Sequence, residues 1–277
     1  MLKLVTFLFI YSNVALSAFN CSLLLLGPAS NYSHYPHLAL INDASYQHKI
    51  WGSSSLHERS VLQYETENLL KFGEIKNYEH KIAQGVTGAK ILEIEMQAYG
   101  VFKENKGSSA NNEVLAYEVD KLFSFDLVPV TVLRTYKGKR GSFQLFMRNT
   151  TMGENYKGSV ARSKIGKLRV FDFLLGGLDR HPENYLFDSK GKIIAIDHEQ
   201  RSNALTKDIR IGHSVKYSEY WSGAVFLRTE DGRKLVSHLK KISNREIFQK
   251  LGPYLKIEHI QSLIKRKKAL EDYLKRL

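Results

Sequence analysis

The stretch from Leu168 to Glu199 constrains this chain most. Leu168, Phe171, Leu174, Leu175 and Leu178 recur at helical spacing and give one apolar face. Asp179-Arg180-His181-Pro182-Glu183-Asn184 follows, with almost no apolar surface. Pro182 lacks an N–H and disfavours helix in the residue before it, so the helix should stop ahead of it. Tyr185-Leu186-Phe187 reads as a strand and Asp188-Ser189-Lys190-Gly191 as a turn. Ile193-Ile194-Ala195-Ile196 is a second buried strand that runs into Asp197-His198-Glu199.

A hairpin sets the start of its first strand beside the end of its second. Asp197 is therefore expected next to the loop that holds Asp179 and Asn184. The oxygens of Asn184 and Asp197 converging there suit Mg²⁺ or Mn²⁺. Asp179 can then take a proton from an attacking hydroxyl. Taken singly, each of these residues could merely cap a turn. The set in this order, between apolar strands, favours a site.

The arrangement resembles the catalytic core of the phosphatidylinositol 3-/4-kinase-like superfamily. Asp179 to Asn184 matches its D-R-H-x-x-N loop, and Asp197 stands where its D-F-G or D-N-G aspartate stands. His198-Glu199 departs from that pattern. The nearest likeness is to the atypical branch that holds actin-fragmin kinase and the Golgi casein-kinase type of secretory-pathway kinases. The resemblance implies an α+β, two-lobed protein-kinase-like fold. Its N-lobe is small and β-rich with one helix, and its C-lobe is mostly helical. It also implies phosphoryl transfer from ATP, with His181 stabilising charge or orienting the loop.

The segment before Leu168 carries matching parts. Gln84-Gly85-Val86-Thr87-Gly88 lies between Lys81-Ile82-Ala83 and the alternating run Ala89 to Glu95. A strand, a glycine turn and a strand can cover phosphates, since Gly85 and Gly88 let backbone N–H groups come close. A plain hairpin is the alternative. In Gly100-Val101-Phe102-Lys103 a strand puts Val101 and Lys103 on one face. Lys103 there can neutralise the α/β-phosphates.

A helix is expected from Glu113 to about Phe125, with Leu115, Val119, Leu122 and Phe123 as its buried stripe. A carboxylate from it should hold Lys103. Periodicity favours Glu118, which flanks the stripe, over Glu113 in the first turn. The resemblance to the secretory-kinase helix E-[IV]-A-A-[FY]-x-L-D-R-L favours Glu113. Leu127 to Val132 resembles that branch's turn into a strand. Ser142 to Met147 reads as the last strand of the small lobe. By resemblance it leads into a hinge where backbone groups around Gln144 and Phe146 would meet the adenine.

The rest of the chain is read more coarsely. Met1 to Ala18 looks like an export signal, with Lys3, an apolar run and small residues at its end. Residues 19–75 form an N-terminal extension, with a helix expected over Ser55 to Phe72. Residues 76–147 form the N-lobe and 148–277 the C-lobe. Thr150 to Ser163 is expected to be a polar loop. The tail from Ser243 is helical, with Ile257, Ile260, Leu263, Ile264, Leu270 and Leu274 on one side and Lys265 to Lys268 on the other. That tail either packs on the lobe or meets a membrane or partner.

Cys21 is the only cysteine, so no intrachain disulfide is possible. The formal net charge of +13 suits an anionic partner without choosing one. No stacking-aromatic or base-reading motif points to nucleic acid. The expected function is an exported, Mg- or Mn-dependent ATP kinase acting on a protein hydroxyl. A lipid or small-molecule kinase, suited to an anionic membrane, and a non-catalytic nucleotide-binding module are the alternatives.

Overall fold

The computed structural model describes residues 56–81, 88–95, 98–107, 109–158, 162–177, 180–198 and 220–275. The expected export signal, Gly85, Asp179 and the polar stretch after Glu199 lie outside the described residues.

Among the described residues, helix α1 (Leu56–Phe72) precedes a five-stranded antiparallel sheet. Its strands are β1 (Ile75–Lys81), β2 (Lys90–Ile94), β3 (Ala98–Glu104), β4 (Thr131–Tyr136) and β5 (Lys139–Leu145). Their order is β1-β2-β3-β5-β4, which leaves β3 in the middle. Helix α2 (Ser109–Phe123) connects β3 to β4.

Register decides which side chains share a face. Lys103 pairs with Ser142, and Val101 with Gln144. Ser142 pairs in turn with Leu133, and Gln144 with Thr131. Directly paired residues point to the same side of a sheet, so Val101, Lys103, Ser142, Gln144, Thr131 and Leu133 make one face. Phe102, Phe143, Val132 and Arg134 make the other. Helix α1 covers this second face. Arg134 donates to the carbonyls of Leu70, at 2.7 Å, and of Gly73, and its guanidinium lies over the Phe143 ring. The Leu70 carbonyl in the last turn of α1, and that of Gly73 just beyond it, thus find a donor. Leu69, Leu70 and Phe143 are wholly buried.

Helix α2 begins earlier than the sequence suggested. Ala110 N donates to Asn105 Oδ1 at 3.2 Å, and Ser109 N to the Lys106 carbonyl. Its first turn is polar, with low helix propensity, so the apolar stripe could not mark the start. Glu113 therefore stands in the second turn, buried, and not in an exposed first turn.

The second sheet has three strands in the order β6-β7-β8. These are β6 (Thr150–Met152), β7 (Tyr185–Asp188) and β8 (Ile193–Ala195). The β7–β8 hairpin is the expected one, and Asp188 Oδ1 closes its turn by accepting from the N–H groups of Lys190 and Lys192. Thr150–Met152 was expected as loop and is instead a strand against β7. Three residues are too few to show a period of two. Helix α3 (Arg162–Leu175) ends at Gly176, whose φ of 81° reverses the chain. Glycine stops this helix, not Pro182, which opens a short 3-10 turn over Pro182–Asn184.

Helices α4 (Tyr220–Arg228), α5 (Glu230–Lys241), α6 (Asn244–Leu251) and α7 (Ile257–Leu274) complete the mostly helical part. The expected split of α7 into apolar and basic sides is corrected in two places. Ile257 is 64% exposed, while Arg266 and Lys267 are buried. Arg266 Nε donates to the Leu174 carbonyl at 2.9 Å, satisfying the end of α3, and Lys267 pairs with Glu271. Long stems bury readily once the charged head has a partner. Among the described residues no helix is long and apolar enough to cross a membrane.

Candidate active site

Lys103 leaves the middle strand on the face toward α2. Its Nζ lies 2.7 Å from Glu113 Oε1 and 3.2 Å from Asp197 Oδ1. Asp197 is 94 residues further along the chain. Of the two glutamates weighed for Lys103, the structure brings Glu113. Glu118 lies 3.9 Å from Lys121, and burial pushes its carboxyl up. Burial pushes Glu113 the same way, but Lys103 and His198 together outweigh it and hold this carboxyl well below the ordinary range.

Asp197 follows β8 in the left-handed conformation, with φ of 56°. That is uncommon without glycine and marks a constrained position. Its side chain stays 43% exposed beside Lys103. His198 is fully buried, with Nδ1 3.2 Å from Glu113 Oε2 and its ring edge-on to Phe171.

The loop that holds Asn184 is tied to Asp197 by Arg180. This guanidinium is buried and meets both oxygens of Asp172 on α3, the nearest at 3.0 Å. It also donates to the carbonyl of Asn184 and, at 2.7 Å, to that of Ile196. Ile196 N donates to Asn184 O at 3.1 Å, so Asn184 and the residue before Asp197 are bound to each other directly as well. Arg180 and Asp172 are site residues that sequence reasoning passed over. The available signals were the Arg180 position within the matched loop and an aspartate between Phe171 and Phe173 on the apolar part of α3.

The other expected site residues fall as follows. His181 is exposed, with Nδ1 3.6 Å from Glu183 Oε2, and its carbonyl accepts from Asn184 N. Gly88 stands just before β2 in the left-handed conformation, open to solvent. Gln144 lies within β5 on the Lys103 face, its amide donating to Thr131 Oγ1 at 2.9 Å. Phe146 follows β5, with its N–H committed to the Tyr99 carbonyl.

The donor set fits a small hard cation. Among the described residues no three His, Cys, Asp or Glu side chains converge into a metal cage. Mg²⁺ does not need one, because it is usually held by one or two carboxylates plus water and substrate phosphates. Asn184, buried just before β7, and the part-exposed Asp197 carboxylate after β8 are the residues that could hold such a cation.

No protein-family model and no curated protein matches the sequence. Solved structures do. Hydra Fam20, solved with a sugar, is similar with a TM-score of 0.60 and 13% identity over 83% of this chain and 94% of its own. A Golgi casein kinase is similar with a TM-score of 0.56 and 13% identity over 82% of each chain. This chain has a two-lobed, kinase-like α+β fold. At such identity the likeness concerns the two-lobed architecture. Lys103 and Glu113 come from the five-stranded sheet and its helix and Asp197 from just past the end of the three-stranded sheet, so their contact joins the two sheet regions.

Proposed function

We propose that this chain is an exported kinase that transfers the γ-phosphoryl group of ATP to a protein hydroxyl. The observation that carries this reading is the single Lys103 ammonium shared by Glu113 and Asp197. Phosphoryl transfer asks little covalent chemistry of a protein; it asks for positioning and neutralised charge. Lys103 is the cation for the α/β-phosphates, and Glu113 holds it. Gly85 and Gly88 belong to the backbone lid over the phosphates, and the chain near Gln144 and Phe146 meets the adenine. Asn184 and Asp197 would hold Mg²⁺ or Mn²⁺, which supplies charge neutralisation when bound. Asp179 orients and deprotonates the acceptor hydroxyl, with His181 beside it. In this reading residues 76–147 and 148–277 are the two lobes, and residues 1–18 are removed on export.

The test uses radiolabelled ATP with Mg²⁺ or Mn²⁺, offered a protein mixture in one arm and phosphoinositide vesicles in the other. Label on protein that disappears in Asp179→Asn and Asp197→Asn supports the proposal. Label only on lipid moves the assignment to a lipid kinase, which the net charge of +13 suits at an anionic surface. No transfer, together with an ATP-induced rise in melting temperature, leaves a nucleotide-binding module.

A further inference from the structure

The resemblance to D-F-G kinases breaks at His198, and the geometry gives that break a role. We propose that His198 is a positioning residue that holds Glu113 from the side opposite Lys103. The proposal rests on the kinase reading for its consequence, and on the geometry for its contact.

The two oxygens of Glu113 are divided between two donors. Oε1 takes Lys103 Nζ at 2.7 Å, and Oε2 faces His198 Nδ1 at 3.2 Å. Both Glu113 and His198 are essentially removed from solvent, at 2% and 0% exposure. A buried carboxylate with one donor would still rotate about its last bond. With two donors on different elements its plane is set. The role requires the proton on Nδ1, the tautomer in which the carboxylate accepts.

The backbone explains how His198 gets there. Successive side chains of an extended chain point to opposite sides. Asp197 and His198 are successive, yet Asp197 reaches Lys103 and His198 reaches the carboxylate that holds Lys103. The left-handed Asp197, with φ of 56°, breaks the alternation and turns both toward α2. Lys103, Glu113, His198 and Asp197 then form a closed ring, three contacts and one peptide link. The Phe171 ring, 6.0 Å away at 90°, fixes the imidazole plane. In D-F-G kinases the residue after the aspartate is a phenylalanine, whose apolar packing helps set the active arrangement. Here a directional hydrogen bond stands in its place. Moving the Asp197 strand end therefore moves Glu113 directly.

The test is a double-mutant cycle in the full chain, read both as ATP kinetics and as melting temperature. H198F keeps an aromatic ring for the edge contact with Phe171, is somewhat larger, and has no donor. H198N puts an amide N–H where Nδ1 stood. H198F is expected to lower kcat about tenfold or more, the scale of one hydrogen bond to a charged group. H198N should return to within about threefold of the wild type on the same scale. H198F combined with E113Q should be no worse than E113Q alone, because the two act as one unit. H198F activity within about twofold of the wild type, or losses that multiply in the double variant, would overturn the proposal. If H198F does not fold, H198N decides: near-wild-type turnover supports the role, and a folded but inactive H198N sinks it. If the wild type transfers no phosphate, the kinase reading fails separately. The melting-temperature cycle still decides the contact, coupled effects supporting it and additive ones ending it.

Discussion

Replacing Arg180 should uncouple the site from its scaffold in a way that can be graded. Its side chain is 1% exposed and that of Asp172 5%. Arg180→Met takes the guanidinium away from the buried Asp172 carboxylate, at a cost of about 3–5 kcal/mol. Total stability is commonly about 5–15 kcal/mol, so that variant is close to failure and says little about function. Arg180→Lys is more informative. It keeps the charge for Asp172, but a compact ammonium cannot also span the carbonyls of Asn184 and Ile196 as the planar fork does. Losing those bonds should cost about 1–3 kcal/mol. For a chain of this size that corresponds to a melting temperature lower by roughly 3–10 °C. The apolar pair D172L/R180M removes both buried charges and should regain the part of the loss that comes from the buried carboxylate, while the two carbonyl bonds stay lost. Circular dichroism melts, the Mg²⁺-dependent shift produced by ATP and phosphoryl transfer are measured for each. R180K is expected to fold and to lose most of the ATP shift and transfer. D172L/R180M should melt near R180K, since both lose the bonds to the Asn184 and Ile196 carbonyls, and still transfer no phosphate. Wild-type transfer by D172L/R180M would show that Arg180 only stabilises and does not position Asn184 and Asp197.

Burial pushes the Lys192 ammonium down to about 8 from 10.5, against the pull of Asp126, Asp188 and Asp120. Between those values the unfolded chain binds the extra proton, so stability should rise as pH goes from about 8 toward 10. Urea unfolding of the wild type should show the rise and Lys192→Met should not. Above about pH 10 the raised hydroxyls of Tyr117 and Tyr254 act the opposite way, because only the unfolded state releases those protons. In Gly141→Ala the new Cβ would sit 2.2 Å from the Lys103 carbonyl, which is backbone and has little room to move. A loss of about 1–3 kcal/mol is expected in urea titration, and a weaker ATP shift with it. Glu67 accepts from Tyr117 at 2.8 Å and Lys121 at 2.6 Å, tying α1 to the back of α2. Glu67→Ala should speed hydrogen exchange in α1 and lower stability by about 1–3 kcal/mol, and unchanged exchange would count against the tie.

The hairpin Tyr185–Ala195, the strand that carries Lys103 and the apolar stripe of α2 were legible because each shows its own period or turn chemistry along the chain. The likeness of the Asp179 to Asn184 loop carried the reading to a kinase, and the fold agrees with it. Periodicity alone misplaced Glu113, since a polar first turn hid the start of α2. It also ranked Glu118 ahead of the residue that meets Lys103, because a stripe shows which face is buried and not which charge is waiting there.

What the sequence determined by itself was therefore local: where strands alternate, where glycine and aspartate turn the chain, and which residue types stand at the candidate site. Only the tertiary structure decided the pairings. His198 and Glu113 are 85 residues apart, and Arg180 gains its role only when Asp172, Asn184 and Ile196 surround it. A buried charge is stable only with its partners in place. That condition belongs to the packed arrangement of several elements, and no single stretch of chain carries it.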